Sequence, residues 1–375
     1  MSLCRALGIA WMGAALFAFI SPAFGSGGYA TVDGPCHFSF PRDHGAHFGH
    51  RTEWWYYTGN VRTEQGRRYG FQLTFFRTRI LAPGAEDPPP EPSAWRTSQI
   101  YLAHAAVSDL EEERHLQAER IARGAVGLAG VQTDDGRVRV MLNDWSARIE
   151  GDTHRLKASD AAFSLDLVLT AQKPVVAHGD QGYSVKGAGP GRASCYYSVT
   201  RLAAAGRIGT SGALVPVNGT AWMDHEYSTS PLEPGLTGWD WFSIQLSDGS
   251  DLMLYRLRDA QNGTHSASSG TWVGPQGTAR HLGSEDFRIT ETDSWTSPAS
   301  GAAYPAGWNI QIPSLEMSLT VSPAMADQEM KTPETTNVVY WEGSVVVQGN
   351  RGDVRIRGVG YTELTGYAAP FDAPM

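Results

Sequence analysis

The chain contains Trp54-Trp55-Tyr56-Tyr57-Thr58-Gly59-Asn60-Val61 and, after a polar turn, Tyr69-Gly70-Phe71-Gln72-Leu73-Thr74-Phe75-Phe76-Arg77. Apolar residues at positions 71, 73 and 75 alternate with polar residues at positions 72 and 74. A period of two is typical of a β-strand with one buried face. The two runs therefore predict a β-hairpin that covers one side of a hydrophobic core.

The second half of the chain repeats this hairpin. Trp241–Leu246, a turn at Ser247–Gly249 and Leu252–Arg258 follow the same order, and an arginine again closes the second strand. An internal duplication explains the repeat, with one barrel or sandwich for each copy. The Pro/Gly-rich segment 228–238 interrupts the β pattern, so we predict an all-β chain with domains at 26–230 and 231–375.

Two segments do not fit the strand pattern. Leu81–Ser93 contains five prolines, which cannot enter the interior of a sheet, and it predicts an exposed loop. Leu110–Arg123 is dense in Glu and Arg and predicts a helix or a helical loop.

Residues 1–25 predict an exported protein. Arg5, an apolar run over 6–20 and small residues at Ala23 and Gly25 are typical of a secretory signal peptide cleaved near Gly25. A permanent anchor is the alternative, but the apolar run is short for a membrane span. We therefore expect a periplasmic or secreted protein with no stable membrane span after cleavage.

Charge and cysteine content limit the function classes. The formal net charge is −9 and no basic run is present, which disfavours nucleic acid and anionic lipid as partners. Cys36 and Cys195 remain after signal cleavage. A disulfide and two unpaired thiols stay equally open, because sequence separation does not define geometry.

The strongest candidate for chemistry is Thr220–Ser228, which holds Asp224, His225 and Glu226 among aromatic residues. Apolar surroundings move the pKa of such groups toward a working range. We expect Asp224 to be buried beside His225, Glu226 or a histidine of residues 44–50. In the alternative, strand alternation sends Asp224 and Glu226 to one face and His225 to the other.

Residues 43–53 carry three histidines, at 44, 47 and 50, followed by Glu53. These are zinc-ligand types, but the glycines between them oppose a helix, and without a helix this spacing does not converge on a point. We predict no metal and instead a strap across the mouth of the first barrel, with imidazoles that are hydrogen-bonded or face a cavity. The chain lacks a Gly-x-Ser-x-Gly elbow, a phosphate loop and a dinucleotide fingerprint, so no cofactor is expected and a serine hydrolase is disfavoured.

Several motifs resemble those of one family, the AttH-like proteins. The matching residues are 41–44 with His47, 53–59, 70–77, 222–226, 238–242, Tyr304-Pro305 with Trp308, 340–343 and 358–367. AttH-like proteins are secreted, lipocalin-like proteins related to carotenoid 1,2-hydratase (hydroxyneurosporene synthase), and are often labelled predicted secreted hydrolases. The resemblance implies two tandem lipocalin-like antiparallel β-barrels (the calycin type) and an apolar ligand such as a terpenoid or lipid.

The resemblance also suggests roles for individual residues. In a hydratase, Asp224 would be the general acid, His225 or Glu226 would activate water, and Trp239 and Trp241 would form an aromatic wall. The candidate ligand-binding residues are His44, His47, Glu53, Trp54, Trp55, Tyr57, Trp222, Trp239, Asp240 and Trp241. The alternative functions are a non-catalytic carrier that works beside transporter components, a structural domain pair pinned together by Asp224, and, less favoured, a hydrolase.

Overall fold

The computed structural model describes residues 28–84, 93–210, 212–229 and 232–371. The predicted signal peptide, together with 85–92 of the proline-rich loop, lies outside these residues. Within them the chain is built from antiparallel strands and two short 3-10 helices, Arg42–His44 and Pro313–Leu315. No helix in the described ranges is long and apolar enough to cross a membrane.

The first sheet has the order β4-β3-β2-β1-β13-β12-β9-β8-β7-β6-β5, and the short β10 and β11 pair with β12. Its strands are β1 (Thr52–Arg62), β2 (Arg68–Arg79), β3 (Gln99–Asp109), β4 (Arg114–Arg123), β5 (Ala129–Asp134), β6 (Arg137–Leu142), β7 (Trp145–Glu150), β8 (Thr153–Ser159), β9 (Ser164–Ala171), β10 (Val176–Ala177), β11 (Tyr183–Val185), β12 (Ala193–Gly209) and β13 (Val215–Ser228).

The second sheet has the order β17-β16-β15-β14-β23-β22-β20-β19-β18, and the short β21 pairs with β22. Its strands are β14 (Leu236–Leu246), β15 (Asp251–Asp259), β16 (Ser269–Val273), β17 (Ala279–Gly283), β18 (Arg288–Thr296), β19 (Ala303–Ile312), β20 (Met317–Pro323), β21 (Glu329–Lys331), β22 (Val339–Arg351) and β23 (Val354–Leu364). Each sheet curls around its own hydrophobic core, so the prediction of an all-β chain with two barrels is confirmed.

The two barrels share one internal pattern. In β1 and β2, Glu53 lies opposite Arg77, and the Arg77 Nε atom donates to Glu53 Oε2 at 2.8 Å inside the first barrel. In β14 and β15, Asp240 lies opposite Arg256, and the Arg256 Nε atom donates to Asp240 Oδ2 at 2.9 Å inside the second barrel. The same acid–arginine pair at the same place in both hairpins fits the duplication that the sequence suggests.

The outer faces of the two sheets pack against each other. Polar contacts cross this interface. The Asn60 Nδ2 atom donates a hydrogen bond to the Gly360 carbonyl at 3.0 Å. The Gln245 Nε2 atom donates to the Thr200 and Ala221 carbonyls, both at 2.8 Å. An aromatic cluster lies beside them, formed by Tyr56, Tyr196, Trp222, Trp241, Met253, Tyr255, Leu257 and Tyr361. The central strands of each sheet therefore have two buried faces, one toward their own barrel and one toward the other sheet.

The helix predicted over Leu110–Arg123 is wrong. Residues 110–113 form a turn, and Arg114–Arg123 is β4, the strand at one end of the first sheet's order. Charged side chains are well tolerated on such a strand because one of its edges is left without a neighbour. In this case Arg120 pairs with Asp160 at 2.7 Å, so the density of Glu and Arg reflects strand position rather than helix propensity.

A disulfide joins the N-terminal segment to the first sheet. Cys36 and Cys195 are bonded with their Cα atoms 5.9 Å apart, which ties the segment before β1 to β12. Beyond this link, Phe38 and Phe40 pack edge-on against Tyr197, and the Trp55 Nε1 atom donates to the His44 carbonyl at 2.8 Å. The N-terminal segment is thus fixed against one end of the first barrel.

Candidate functional site

Strand β13 divides the Asp224, His225 and Glu226 triplet between two environments. Asp224 and Glu226 face the second sheet, whereas the neighbouring Met223 packs into the core of the first barrel, and His225 points inward with it. Asp224 is buried as expected, and of the neighbours that the sequence suggested, Glu226 shares its strand face whereas His225 lies on the other face because the strand alternates. The three residues do not form one catalytic cluster.

The outward-facing residues line a cavity of about 260 Å³ between the two sheets. Its walls are mainly aromatic and apolar, with four carboxyl groups, one imidazole and two cationic side chains among them. The residues that line the cavity include Trp54, Tyr56, His104, Lys186, Arg192, Ser194, Tyr196, Asp224, Glu226, Leu232, Trp239, Trp241, Tyr255, Leu257, Tyr340, Glu342 and Glu363.

Asp224 is a buried carboxyl group in the wall of this cavity, and only 3% of it is exposed. Tyr196 Oη donates to Asp224 Oδ2 at 2.8 Å, Trp222 Nε1 donates to Oδ1 at 2.6 Å, and the Ser198 hydroxyl also donates to Oδ1. Burial raises the pKa of Asp224 to about 7 even though these three hydrogen bonds favour the charged form. A substantial fraction of Asp224 is consequently a neutral carboxylic acid near neutral pH.

Two further acids come from the second sheet. Glu342 on β22 and Glu363 on β23 are directly opposite each other in the strand register, and both line the cavity. Burial, followed by the charge of Asp224, raises the pKa of Glu363 to about 8. Burial and the nearby Glu363 hold the pKa of Glu342 well above its usual range. Both groups therefore present protonated carboxyls to the cavity at neutral pH.

Glu226 has a different environment from these three acids. Its Oε1 atom accepts a hydrogen bond from Ser194 Oγ at 2.5 Å and lies 3.2 Å from Lys186 Nζ. The cavity thus combines three carboxyl groups of raised pKa with a fourth that is hydrogen-bonded to a serine and paired with a lysine.

The inward-facing residues form a separate hydrogen-bond network. His225 Nε2 lies 2.9 Å from Glu53 Oε1, and His225 Nδ1 lies 2.7 Å from the Tyr197 hydroxyl. Glu53 also contacts His47 Nδ1 at 2.7 Å, and Tyr197 contacts His44 Nδ1 at 2.7 Å. These residues close the end of the first barrel and do not line the cavity between the sheets.

His47, Glu53 and His225 also have the right chemistry for a metal site. Their potential ligand atoms lie within 4.8 Å of one another, so the chain brings two residues of the 44–53 motif together with a third from β13, contrary to the expectation that the motif does not converge. However, both oxygens of Glu53 already accept hydrogen bonds, and the guanidinium of Arg77 lies 2.8 Å from Oε2. Because Arg77 already places a positive charge beside the Glu53 carboxylate, binding of a metal cation there is disfavoured. We therefore interpret His47, Glu53, Arg77 and His225 as a hydrogen-bonded ion-pair network.

The predicted site residues fall into three places. In or beside the cavity are Trp54, Trp222, Asp224, Glu226, Trp239 and Trp241; inside the first barrel are His44, His47, Glu53, Trp55, Tyr57 and His225; and Asp240 is buried in the second barrel with Arg256 and Arg258. Sequence reasoning missed Lys186, Glu342 and Glu363 as cavity residues. The signal for the two acids was an acidic residue at an alternate position of a strand with buried neighbours, as in Tyr340-Trp341-Glu342.

Comparisons with known proteins agree with this architecture. The AttH-like family matches residues 31–367. A crystal structure of an AttH candidate from Nitrosomonas europaea is 34% identical, with a TM-score of 0.79 over 90% of this chain and 99% of that one. No curated protein sequence matches the chain.

More distant structures share the fold at low identity. Kievitone hydratase from Nectria haematococca is 14% identical, with a TM-score of 0.68 over 91% of this chain and 97% of that one. CghA, solved with Sch210972, is 11% identical, with a TM-score of 0.55 over 92% and 98% of the two chains. Because the family match covers most of the residues and the Nitrosomonas protein aligns over nearly its full length, this chain belongs to the AttH-like family.

Proposed function

We propose that this protein binds an apolar, terpenoid-like alkene between its two barrels and adds water across a carbon–carbon double bond, with Asp224 as the general acid. The observation that carries the proposal is a buried carboxyl group in the wall of an aromatic cavity, because only 3% of Asp224 is exposed and burial raises its pKa to about 7. Protonation of an isolated alkene requires a proton donor that is not solvated by bulk water.

The cavity supplies the other groups that hydration requires. When Asp224 donates its proton to one alkene carbon, the π electrons form the new C–H bond and leave a tertiary cation on the other carbon. Trp239, Trp241 and Tyr255 line the same cavity, and the face of an aromatic ring stabilises a positive charge placed over it.

The final step is the addition of water to the cation. A water oxygen forms the C–O bond, and the proton it loses passes to a carboxylate. Glu226 fits this role because it lies on the same strand face as Asp224 and forms an ion pair with Lys186. Of the two residues suggested as water activators by the sequence, His225 is unsuited because it points into the first barrel. Exchange with solvent then restores the starting protonation states.

Two further observations support an exported protein that handles an apolar compound. The Cys36–Cys195 disulfide fits an oxidising compartment, which is the compartment expected if residues 1–25 are the predicted signal peptide. The shared fold with a protein named kievitone hydratase supports a hydratase over a hydrolase. A carrier that uses the same cavity without chemistry is the second candidate, favoured by its predominantly aromatic and apolar walls.

The test is turnover of a panel of terpenoid and prenylated alkenes in water enriched in oxygen-18, followed by mass spectrometry. The wild type is expected to give an alcohol that has gained one labelled water. Asp224→Asn should lower the rate by about a hundredfold or more, because it removes the transferable proton while keeping the shape. Asp166→Asn, at an exposed position on β9, is the matched control and should behave as the wild type.

A wild-type protein that binds members of the panel and releases them unchanged would identify a carrier. Wild-type turnover by Asp224→Asn would contradict the role of this residue. Melting temperatures of both variants show whether a loss of rate reflects chemistry or unfolding.

A further inference from the structure

The cationic side chains of the cavity are grouped at one end. Among the described residues that line it, the cationic ones are Lys186 and Arg192. Both belong to the hairpin Lys186-Gly187-Ala188-Gly189-Pro190-Gly191-Arg192 between β11 and β12. The hairpin is closed by a hydrogen bond from the Lys186 amide to the Arg192 carbonyl at 2.8 Å. We call residues 186–192 the glycine hairpin.

The glycine hairpin contacts the second sheet and Glu233, which lies between β13 and β14. The Tyr255 hydroxyl donates to the Val185 carbonyl at 3.1 Å, directly before Lys186. The Ala188 amide donates to Glu233 Oε2 at 2.9 Å, and a Cβ atom added to Gly187 would lie 2.1 Å from the same oxygen. A side chain at position 187 would displace the Glu233 carboxylate from this contact, so the position of Lys186 is set by contacts with Tyr255 on β15 and with Glu233 between β13 and β14.

We propose that the ligand is an amphipathic acid whose anionic head lies at Lys186 and whose apolar, unsaturated body lies against Trp239, Trp241 and Leu257, toward Asp224. This inference rests on the proposed function for the use of the cavity, and it adds the chemical class of the substrate. The chemistry is that of a terpenoid carboxylic acid, with the double bond several bonds away from the carboxylate.

The surroundings of Lys186 favour a charged ammonium that can receive an anion. Its Nζ atom lies 4.0 Å from the ring centroid of Tyr255 and 5.1 Å from that of Tyr196, and 26% of its side chain is exposed. Burial disfavours its charge, but Glu226 and Tyr255 outweigh burial, and the pKa of Lys186 is raised. Glu226 has a second donor in Ser194, so it stays hydrogen-bonded when the ammonium turns toward a ligand.

The remaining acids of the cavity do not repel such a ligand. Asp224, Glu342 and Glu363 all have raised pKa values and present protonated carboxyls at slightly acid pH. The ring of Tyr196 separates Lys186 from Asp224, because Lys186 lies over the ring and the hydroxyl bonds to Asp224. If the head group of a ligand lies at Lys186, the part of its chain that reaches Asp224 is therefore separated from the head by about the width of one aromatic ring.

The experiment compares ligands that differ only in the head group. Isothermal titration calorimetry at about pH 6.5, where a carboxylic acid ligand is ionised, would use geranic acid and geraniol, farnesoic acid and farnesol, and retinoic acid and retinol. For at least one pair, the wild type is expected to bind the acid about ten- to a hundredfold more tightly than the alcohol, the range for a hydrogen bond to a charged group.

Three variants make the result specific. Lys186→Met should remove the preference for the acid, and Lys186→Arg should retain it. Lys157→Met, at an exposed position on β8, should leave it unchanged. Melting curves confirm that each variant is folded.

The inference is overturned if alcohols bind as tightly as acids, if no acid of the series binds, or if Lys186→Met keeps the preference. Hydration of neutral alkenes without a preference for acids would remove this inference and leave the proposed function. A preference for acids that depends on Lys186, without hydration of any alkene, would support this inference and contradict the proposed hydration.

Discussion

Replacement of Asp224 by Asn should change how the stability of the protein depends on pH. The folded pKa of Asp224 is about 7, compared with 3.8 as the usual value, because burial penalises its charge. Between these two values the unfolded chain has released the proton and the folded chain still holds it. The stabilisation is therefore fully present below about pH 4 and is lost as the pH rises to about 7.

The size of this effect follows from the shift. About three pKa units at 1.36 kcal/mol per unit correspond to about 4 kcal/mol of unfolding free energy. Asn does not titrate, so the stability of the wild type relative to Asp224→Asn should fall by about this amount between about pH 4 and pH 7. Urea denaturation followed by tryptophan fluorescence, with the disulfide intact, measures the difference at each pH.

Asp109→Asn is the matched control. The Asp109 side chain is also fully buried, but it is paired with Arg67. Burial alone would raise the pKa of Asp109, but the hydrogen bond and charge of Arg67 outweigh it, and the pKa is lowered. Its contribution is lost only as the pH falls below the usual carboxyl range, so the difference between Asp109→Asn and the wild type should be constant from pH 4.5 to about 7. An equally constant difference for Asp224→Asn would refute the claim that this carboxyl is neutral in the folded protein.

Four other variants test the packing and burial of individual side chains. Trp55 is fully buried inside the first barrel, so Trp55→Ala should cost about 3–5 kcal/mol in urea denaturation, whereas Trp241→Ala should cost less because the ring already borders the cavity; equal costs would contradict the two placements. Cys195→Ser removes the bond to Cys36, which closes a loop with a sequence separation of 159, and should lower the unfolding free energy by about 2–5 kcal/mol in non-reducing buffer; an unchanged midpoint would argue against the disulfide. Burial lowers the pKa of His154 to about 4 from 6.5, so the wild type should lose about 3 kcal/mol relative to His154→Gln as the pH falls from 6.5 to 4, and parallel pH curves would show that the imidazole is solvated.

Much of the fold could be predicted from local sequence patterns. The period of two at positions 71–75 and the repeat of the strand–turn–strand order over 241–258 were sufficient to predict the two hairpins. The expectation of a single buried face was wrong, because Gln72 and Thr74 are also buried and Thr74 lines the cavity between the sheets. The error at Leu110–Arg123 arose because charged residues suit both an exposed helix and an edge strand. Composition alone does not distinguish these two structures.

The candidate site was predicted only in part, for a reason of long-range packing. Asp224 could be selected from its aromatic neighbours, and the alternation that separates it from His225 was already visible in the strand. Glu342 and Glu363 could not be assigned to the same cavity, because nothing local in the sequence shows that the outer face of β22 and β23 packs against the outer face of β13. Likewise, the pairing of Cys36 with Cys195 depends on where the N-terminal segment crosses the first barrel.

Transfer of the proton from Asp224 to carbon is the central claim, and hydration in heavy water tests it most directly. With a substrate identified from the alkene panel, the wild type in D₂O should give an alcohol with one deuterium on the carbon next to the new C–O bond, in a single stereochemical configuration, because the proton comes from one fixed carboxyl group. Asp224→Asn should bind the same alkene and form the labelled alcohol about a hundredfold or more slowly. Deuterated alcohol formed by Asp224→Asn at the wild-type rate, or deuterium incorporated in both configurations by the wild type, would contradict the account.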